Sequence, residues 1–363
     1  MSKIPLRRGG PAARVAVVPG DGVGPEVTAE AVKVLRALRR PIDFVEFDWG
    51  ANKFLREGVT LPAGAVDMLR DEFDAILFGA LGDPRVPGNQ HARDILLGLR
   101  FQLDLYVNAR PVELLDQRWT PLRNRTAQDL RLIIFRENTE GLYVGVGGFF
   151  KKGTSDEIAI EEDVNSRKGV ERIIRHAFDY ARQKRLKRVC MSDKSNAMTY
   201  AHDLWQRVFQ EVKSEYREVE ARHLYIDTLA MELVRDPSQF DVIVTCNLFG
   251  DILSDLAAQL AGGLGLAPSA NIHPGRTSLF EPVHGSAPNI AGKGIANPLG
   301  SVLASAMMLE FFGWDGEAVK LRTAVQSAAR HSYITPDLAG DKKTVEVGDW
   351  LAQLVSREAS GIT

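Results

Sequence analysis

Short β-branched runs alternate with helix-period stripes along most of this chain. Arg14–Val18 (RVAVV) predicts a strand that ends at Pro19 and a glycine cluster. Behind it, Val27, Ala31, Val34, Leu35 and Leu38 recur at the three- and four-residue steps of a helix face. Phe44–Phe47, Ala75–Phe78, Leu132–Phe135, Val189–Met191 and Val242–Thr245 read as further short strands. Gly169–Arg185 is the clearest helix, with Val170, Ile173, Ile174, Ala177, Phe178 and Ala181 in one stripe and charges opposite. Strands alternating with helices predict an α/β architecture whose parallel strands are buried on both faces.

Residues 144–160 break this pattern. VGVGGFFKKGTSDEIAI mixes glycines, paired aromatics and charges, and reads as a β-hairpin. Either it is an exposed arm whose Phe149 and Phe150 need a partner surface, or it folds back on its own domain. The basic cluster Arg182, Lys184, Arg185, Lys187 and Arg188 reads as a solvated helix C-terminus that complements the dipole.

The 363 residues carry 45 Lys+Arg against 47 Asp+Glu. That balance lacks the electrostatic footprint of a nucleic-acid or membrane-surface binder. No stretch reaches the roughly 18 unbroken apolar residues of a membrane span. The basic N-terminus has no apolar core before a cleavage site, so it does not read as a secretory signal. Cys190 and Cys246 sit in apolar strand-like runs, as buried hydrophobes rather than a disulfide framework. A cytoplasmic protein is expected.

Four constellations could carry chemistry. Gly20-Asp21-Gly22-Val23-Gly24-Pro25-Glu26 lies between strand and helix, but Pro25 replaces the third glycine of the G-x-G-x-x-G fingerprint, which argues against a conventional Rossmann fold. In NLFGDILSD, Asp251 and Asp255 share one helix face; they suit a hard divalent ion such as Mg²⁺ or Mn²⁺, or are two first-turn acids stabilised by the dipole. Arg100, Arg110 and Arg136 could converge on a polyanionic small molecule, whose carboxylates a guanidinium binds bidentately, or could be separate surface charges. Tyr143 and Lys194 are the fourth; a lysine among small polar residues just beyond an apolar strand is placed for proton transfer.

The segments RENTEGLY, NLFGDILSD and LFEPVHGSAPNIAGKGIANP, in this order, resemble the β-decarboxylating hydroxyacid dehydrogenases. These are the isocitrate, 3-isopropylmalate, homoisocitrate, tartrate and D-malate dehydrogenases. The resemblance runs from about Arg14 to Gly313. It implies an isopropylmalate dehydrogenase-like two-domain α/β fold with a parallel-stranded large domain. Residues 1–106 and 262–363 would form the large nucleotide-binding domain, and 107–261 the small dimerisation and catalytic domain. The 144–160 hairpin would be the dimer arm of a homodimer with shared active sites.

By the same resemblance, Arg100, Arg110 and Arg136 bind substrate carboxylates, and Asp251 and Asp255 hold Mg²⁺ or Mn²⁺ together with Asp227 of the other subunit. Lys194, with Asn196 nearby, also reaches across the interface and removes the 2-hydroxyl proton. C2 then gives a hydride to the nicotinamide, C3 loses carbon dioxide, and Tyr143 returns a proton to C3. Glu281, His284, Gly285, Ser286, Ala287, Asn289, Ile290 and Asn297 form the cofactor loop, with His284 and Asn297 at the adenine. NAD-preferring members usually carry Asp at the position of Asn289. Asn can still bond a ribose hydroxyl but does not repel a 2′-phosphate, so NAD is expected, with relaxed selectivity against NADP.

Leu96 and Leu97 resemble the apolar pair that receives an isopropyl group, which makes 3-isopropylmalate, oxidised to 2-oxo-4-methylpentanoate in leucine biosynthesis, the leading substrate. An arginine beside an alkyl group is costly unless it reaches water or an acid, so this reading requires Arg93 to point away. Two features cut the other way: Arg93 stands where isopropylmalate enzymes carry a Glu near the nicotinamide and could pair with an acidic substituent, and Glu140 and the arm look more like tartrate and D-malate dehydrogenases. An isocitrate or homoisocitrate enzyme, and a non-catalytic regulatory subunit, are the remaining alternatives.

Overall fold

The computed structural model describes residues 12–359; the basic N-terminal segment lies outside them. Strands β1 (Ala13–Gly20), β2 (Ile42–Glu46) and β3 (Ala75–Ala80) come first, then β4 (Val107–Glu113) and β5 (Arg131–Glu137). A hairpin, β6 (Gly147–Phe150) and β7 (Ile158–Glu161), precedes β8 (Arg188–Asp193), β9 (Glu220–Tyr225) and β10 (Val242–Thr245). The last strands are β11 (Pro268–Ile272) and β12 (Ser278–Pro282). Helices α1 (Gly24–Ala37), α2 (Ala51–Glu57), α3 (Ala65–Glu72) and α4 (Gln90–Gln102) belong to the first third of the chain. The middle carries α5 (Arg167–Lys184), α6 (Ala201–Lys213), α7 (Ile226–Arg235) and α8 (Asn247–Leu260). The end carries α9 (Leu299–Phe311), α10 (Asp315–Arg330) and α11 (Thr344–Ala359).

The chain divides into two compact units. One comprises the chain up to Leu105, Glu113–Ala127 and the chain from Ala258 onward; the other comprises Tyr106–Val112 and Gln128–Ala257. Residues 107–261 are thus not all in one unit: Glu113–Ala127 and the residues from Ala258 belong with the terminal unit. Arg118 donates to Ala329 O at 3.3 Å, and Trp119 lies against Gly262, where an added Cβ would meet it at 3.1 Å.

In the terminal unit the strands run in the order β2-β1-β3-β12-β11. β1 pairs parallel with β2 and β3, and β3 with β12, while β11 runs antiparallel to β12. The sheet is therefore mostly parallel, not wholly so. β3 is buried at every position, as a strand covered by helices on both faces must be. Helix α9 is apolar nearly all round and buried except at Glu310, so its packing is decided by its neighbours rather than by amphipathicity.

The central unit orders its strands β4-β5-β10-β8-β9, with β10 parallel to β5 and β8, and β8 parallel to β9. Helix α5 buries the stripe anticipated from sequence, and the Ser166 hydroxyl accepts the Gly169 N–H as its N-cap. The 144–160 segment forms an antiparallel ribbon, exposed at every strand position. Phe149 and Phe150 are each 60% exposed, so within this chain the hairpin is not folded back onto its own unit. Cys190 and Cys246 are buried free thiols, and burial pushes both up to about 12. Among the described residues no helix is long and apolar enough to cross a membrane.

Candidate active site

Neighbouring strands β4 and β5 supply two buried arginines, and helix α8 supplies the acids they meet. Arg110 donates to Ser254 Oγ at 2.6 Å and to Asp255 Oδ1 at 3.2 Å, and its other terminal nitrogen lies 3.3 Å from Asp251 Oδ1. Arg136, only 1% exposed, donates through Nε to Asn247 Oδ1 at 2.9 Å and through Nη1 to Asp251 Oδ1. Tyr143 donates its hydroxyl to Asp251 Oδ2 at 2.9 Å, with the Arg136 guanidinium over its ring at 5.2 Å. The i,i+4 spacing that put both acids on one face is realised by α8.

Gly250 explains why α8 can come so close. A Cβ there would stand 2.5 Å from Arg136 Cβ, well inside van der Waals contact. Two guanidiniums on two carboxylates leave the cluster near neutrality. Partial burial raises the proton affinity of Asp255; Arg110 opposes this and Asp251 adds to it. The two carboxylates are hard oxygen ligands held on one face of α8, which fits a divalent cation that needs oxygen ligands.

A third acid does not join them among the described residues. Among the described residues no group of three or more His, Cys, Asp or Glu side chains converges as a metal site. Asp227, at the start of α7 and exposed, instead accepts from Lys194 Nζ at 2.8 Å, which holds its carboxyl below the usual range. Asn196 is exposed in the turn after β8.

The other residues expected from sequence lie in the terminal unit. Arg100, buried on α4, donates to Glu281 Oε1 at 3.3 Å, and Asn271 donates to the same oxygen at 2.7 Å. Glu281, grouped by sequence with the nucleotide loop, thus turns its carboxylate onto an arginine. Leu96 and Leu97 are half-buried, and Leu96 leans on the unit's core. Arg93 has 68% of its side chain exposed, with Asp94 at 3.8 Å.

The loop after β12 crosses the β1–α1 turn. Val23 N–H donates to Ser286 O at 2.9 Å, and at Gly22, with φ +59°, a Cβ would overlap that same carbonyl. Ile290 and Ala287, both half-buried, pack on the cluster of Val23 and Val27 and so anchor the loop. Asn289 is exposed. His284 Nδ1 donates to Gly285 O at 3.0 Å, which leaves Nε2 a buried acceptor without a protein partner. Open space lies over Gly285. An unpaired acceptor of this kind fits the amino group of an adenine. Asn297 is already engaged, accepting from Leu299 N–H at 3.0 Å and donating to Asp337 at 2.9 Å.

Ser254, Asn247 and Asn271 were not singled out by sequence, although each bonds a candidate residue. Ser254 and Asn247 lie inside NLFGDILSD itself, so the motif held a usable signal for them. Asn271 had none, because its partner Glu281 lies on the neighbouring antiparallel strand.

The chain is 44% identical over 355 residues to the 3-isopropylmalate dehydrogenase of Thermobifida fusca (strain YX), covering 95% of this chain and 98% of that one. It is 47% identical over 339 residues to the enzyme of the same name from Corynebacterium jeikeium (strain K411), covering 93% and 98%. Its fold is similar to a crystal structure of isocitrate dehydrogenase from Methylococcus capsulatus, with a TM-score of 0.87, 38% identity, and coverage of 95% and 99%. The family model described as isocitrate/isopropylmalate dehydrogenase matches residues 14–351 and so spans both units, from β1 into α11. The match covers nearly the whole chain, and the chain is a member of the isocitrate/isopropylmalate dehydrogenase family.

Proposed function

We propose that this dehydrogenase carries out the NAD-dependent, divalent-metal-dependent oxidative decarboxylation of 3-isopropylmalate. The observation that carries the reading is the meeting of Arg110, Arg136 and Tyr143 on Asp251, with Asp255 alongside. Relatives of the same name, aligned over nearly the whole chain, support the substrate. The exposure of Arg93 favours it over an acidic C3 substituent, since no cation is then buried against the alkyl group.

Arg110 and Arg136 bind the substrate's carboxylates, and Arg100 is a further candidate for that role. As substrate carboxylates take over the guanidinium donors, the oxygens of Asp251 and Asp255 become free for Mg²⁺ or Mn²⁺. Asp251 and Asp255 would hold the cation, which would supply Lewis acidity to the substrate's oxygens, and the loop carrying His284 would hold NAD, which would supply a hydride acceptor. Leu96 and Leu97 receive the C3 substituent. His284 and the backbone of residues 285–289 hold the adenosine, with Asn289 at the ribose.

Lys194 and Asp227 already form a pair in the chain, and we assign both to the site of a second copy. The protein is then a homodimer with composite sites, and the arm 144–160 buries Phe149 and Phe150 against the partner. In that site Lys194 takes the 2-hydroxyl proton, and Tyr143, beside Asp251, delivers a proton to C3.

The test is reduction of NAD with Mn²⁺ over 3-isopropylmalate, D-malate, tartrate, isocitrate and homoisocitrate. The expected result is highest kcat/KM for 3-isopropylmalate and complete loss on chelation with EDTA. A higher kcat/KM for an acidic substituent, abolished selectively by Arg93→Ala, refutes the substrate assignment. The exposed arm also suits D-malate or tartrate enzymes, and one missing apolar contact is worth only about 1–3 kcal/mol, so slow turnover of D-malate is expected.

A further inference from the structure

The backbone of Lys194 is gripped from two sides. The peptide N–H of Lys194 donates to Nδ1 of His202 at 2.7 Å. On the other side, buried Asp193 accepts the Ser195 N–H at 3.0 Å, the Gln206 side chain at 2.7 Å and His223 Nε2 at 2.9 Å. Lys194 O accepts the N–H groups of Ala197 and Met198, which closes the turn.

His202 stands at the start of α6, fully buried, with the Phe249 ring edge-on at 5.3 Å. Because the peptide N–H donates, Nδ1 must be the nitrogen without a proton, and the neutral ring carries its hydrogen on Nε2. Burial keeps the ring's proton affinity below that of an ordinary histidine, although Asp193 and Asp163 pull the other way. Nε2 faces Asp163 Oδ2 at 3.8 Å, beyond hydrogen-bond reach, and both atoms are buried without a partner. The polar cost of that face is accepted while the Lys194 bond is made short and direct. A side chain serving only as core filler would carry no such cost.

We propose that His202 is a positioning residue for Lys194: its unprotonated Nδ1 fixes the Lys194 peptide and so sets the point from which the flexible ammonium arm swings. This rests on the reading of Lys194 as the proton-transfer group. The side chain of Lys194 is a flexible four-carbon stem whose tip is held by Asp227 among the described residues, so its reach is defined only if its backbone is fixed. A misplacement of about 1 Å at a reacting group costs on the order of 100-fold.

The test is kinetic and spectroscopic. His202→Leu removes the acceptor and keeps apolar bulk; kcat is expected to fall about 10- to 100-fold while KM for the hydroxyacid changes less than about twofold. His202→Asn returns an acceptor near the Nδ1 position and is expected to recover most of kcat. Wild-type kcat in a folded His202→Leu overturns the proposal, and so does a loss that His202→Asn leaves unrepaired. Long-range ¹H–¹⁵N spectra of the wild-type imidazole are expected to show a bare Nδ1 and a protonated Nε2; the opposite tautomer overturns the proposal even if His202→Leu does not fold. Lys194→Ala separates the two readings. Full turnover there removes the assignment of Lys194 and this proposal with it, whereas an inactive Lys194→Ala beside an unaffected His202→Leu overturns this proposal alone.

Discussion

Gly250→Ala sets two calculable effects against each other. Gly250 lies in the first turns of α8, where alanine is favoured over glycine by about 1 kcal/mol. By helix propensity alone the substitution stabilises the protein. Against this, the new methyl would sit 2.5 Å from Arg136 Cβ and 2.7 Å from its Cγ, where ordinary contact begins at 3.4 Å, a deficit of about 0.9 Å. Neither neighbour is a free side-chain end, because Arg136 is buried and tied to Asn247 and Asp251. Overpacking of this kind costs about 1–3 kcal/mol, so the clash exceeds or matches the propensity gain. The strand or the helix must then shift by most of that deficit, which displaces Arg136 relative to Asp251. The expected outcome is a fall in kcat/KM on the order of 100-fold, with urea-midpoint stability unchanged or lowered by up to about 2 kcal/mol. Steady-state kinetics and urea unfolding check it. A Gly250→Ala protein that is more stable and fully active would show that the spacing of α8 against β5 does not set the arginine, and would refute the reasoning.

Acid should destabilise the fold in part through His176, whose Nε2 is buried without a partner and whose pKa burial lowers to about 3. The unfolded chain binds that proton near 6.5, so the contribution is full above about pH 6.5 and is lost as pH falls toward 3, at about 1.4 kcal/mol per pH unit. Unfolding free energies measured from pH 7 to 4 should be less steep by one proton in His176→Phe; equal slopes would contradict the assignment. Replacing both Phe149 and Phe150 with Glu should weaken the proposed dimer at least about 100-fold, since each buried phenylalanine is worth about 1.5–3 kcal/mol. Both rings are exposed in the single chain, so the variant should remain folded in sedimentation and thermal melts; an intact dimer would count against the arm. Asn289→Asp should widen the preference for NAD over NADP roughly tenfold, equivalent to about 1.4 kcal/mol of added repulsion at the 2′-phosphate. Unchanged kcat/KM ratios for the two cofactors would remove Asn289 from the ribose site.

Some of this molecule is written locally in its sequence. β1, β3, β5, β8 and β10 could be read directly because strands covered on both faces must be continuous apolar runs. The stripe of α5 and the shared face of Asp251 and Asp255 follow from the helical period alone. The exposed hairpin could be read as a departure from its surroundings, though not its detachment from the unit that bears it. β4, β9, β11 and β12 escaped notice. β11 is buried throughout yet carries Ser269 and Asn271, and such polar residues look like a loop until their partners are known.

The tertiary structure alone decided the partnerships. Arg110 and Arg136 are far apart in the chain and meet because β4 and β5 are neighbours. Glu281 turns to Arg100 because β12 lies within reach of α4. Trp119 and Arg118 carry residues 113–127 into the terminal unit. Gly250 reads as a weak helix residue until Arg136 is seen against it, and His202 as a routine polar residue until its Nδ1 is found on Lys194. Period and composition are sums over neighbours in the chain, so they fix which surfaces must be buried. Which charge meets which, and which side chain a glycine must admit, depends on segments brought together only when those surfaces pack.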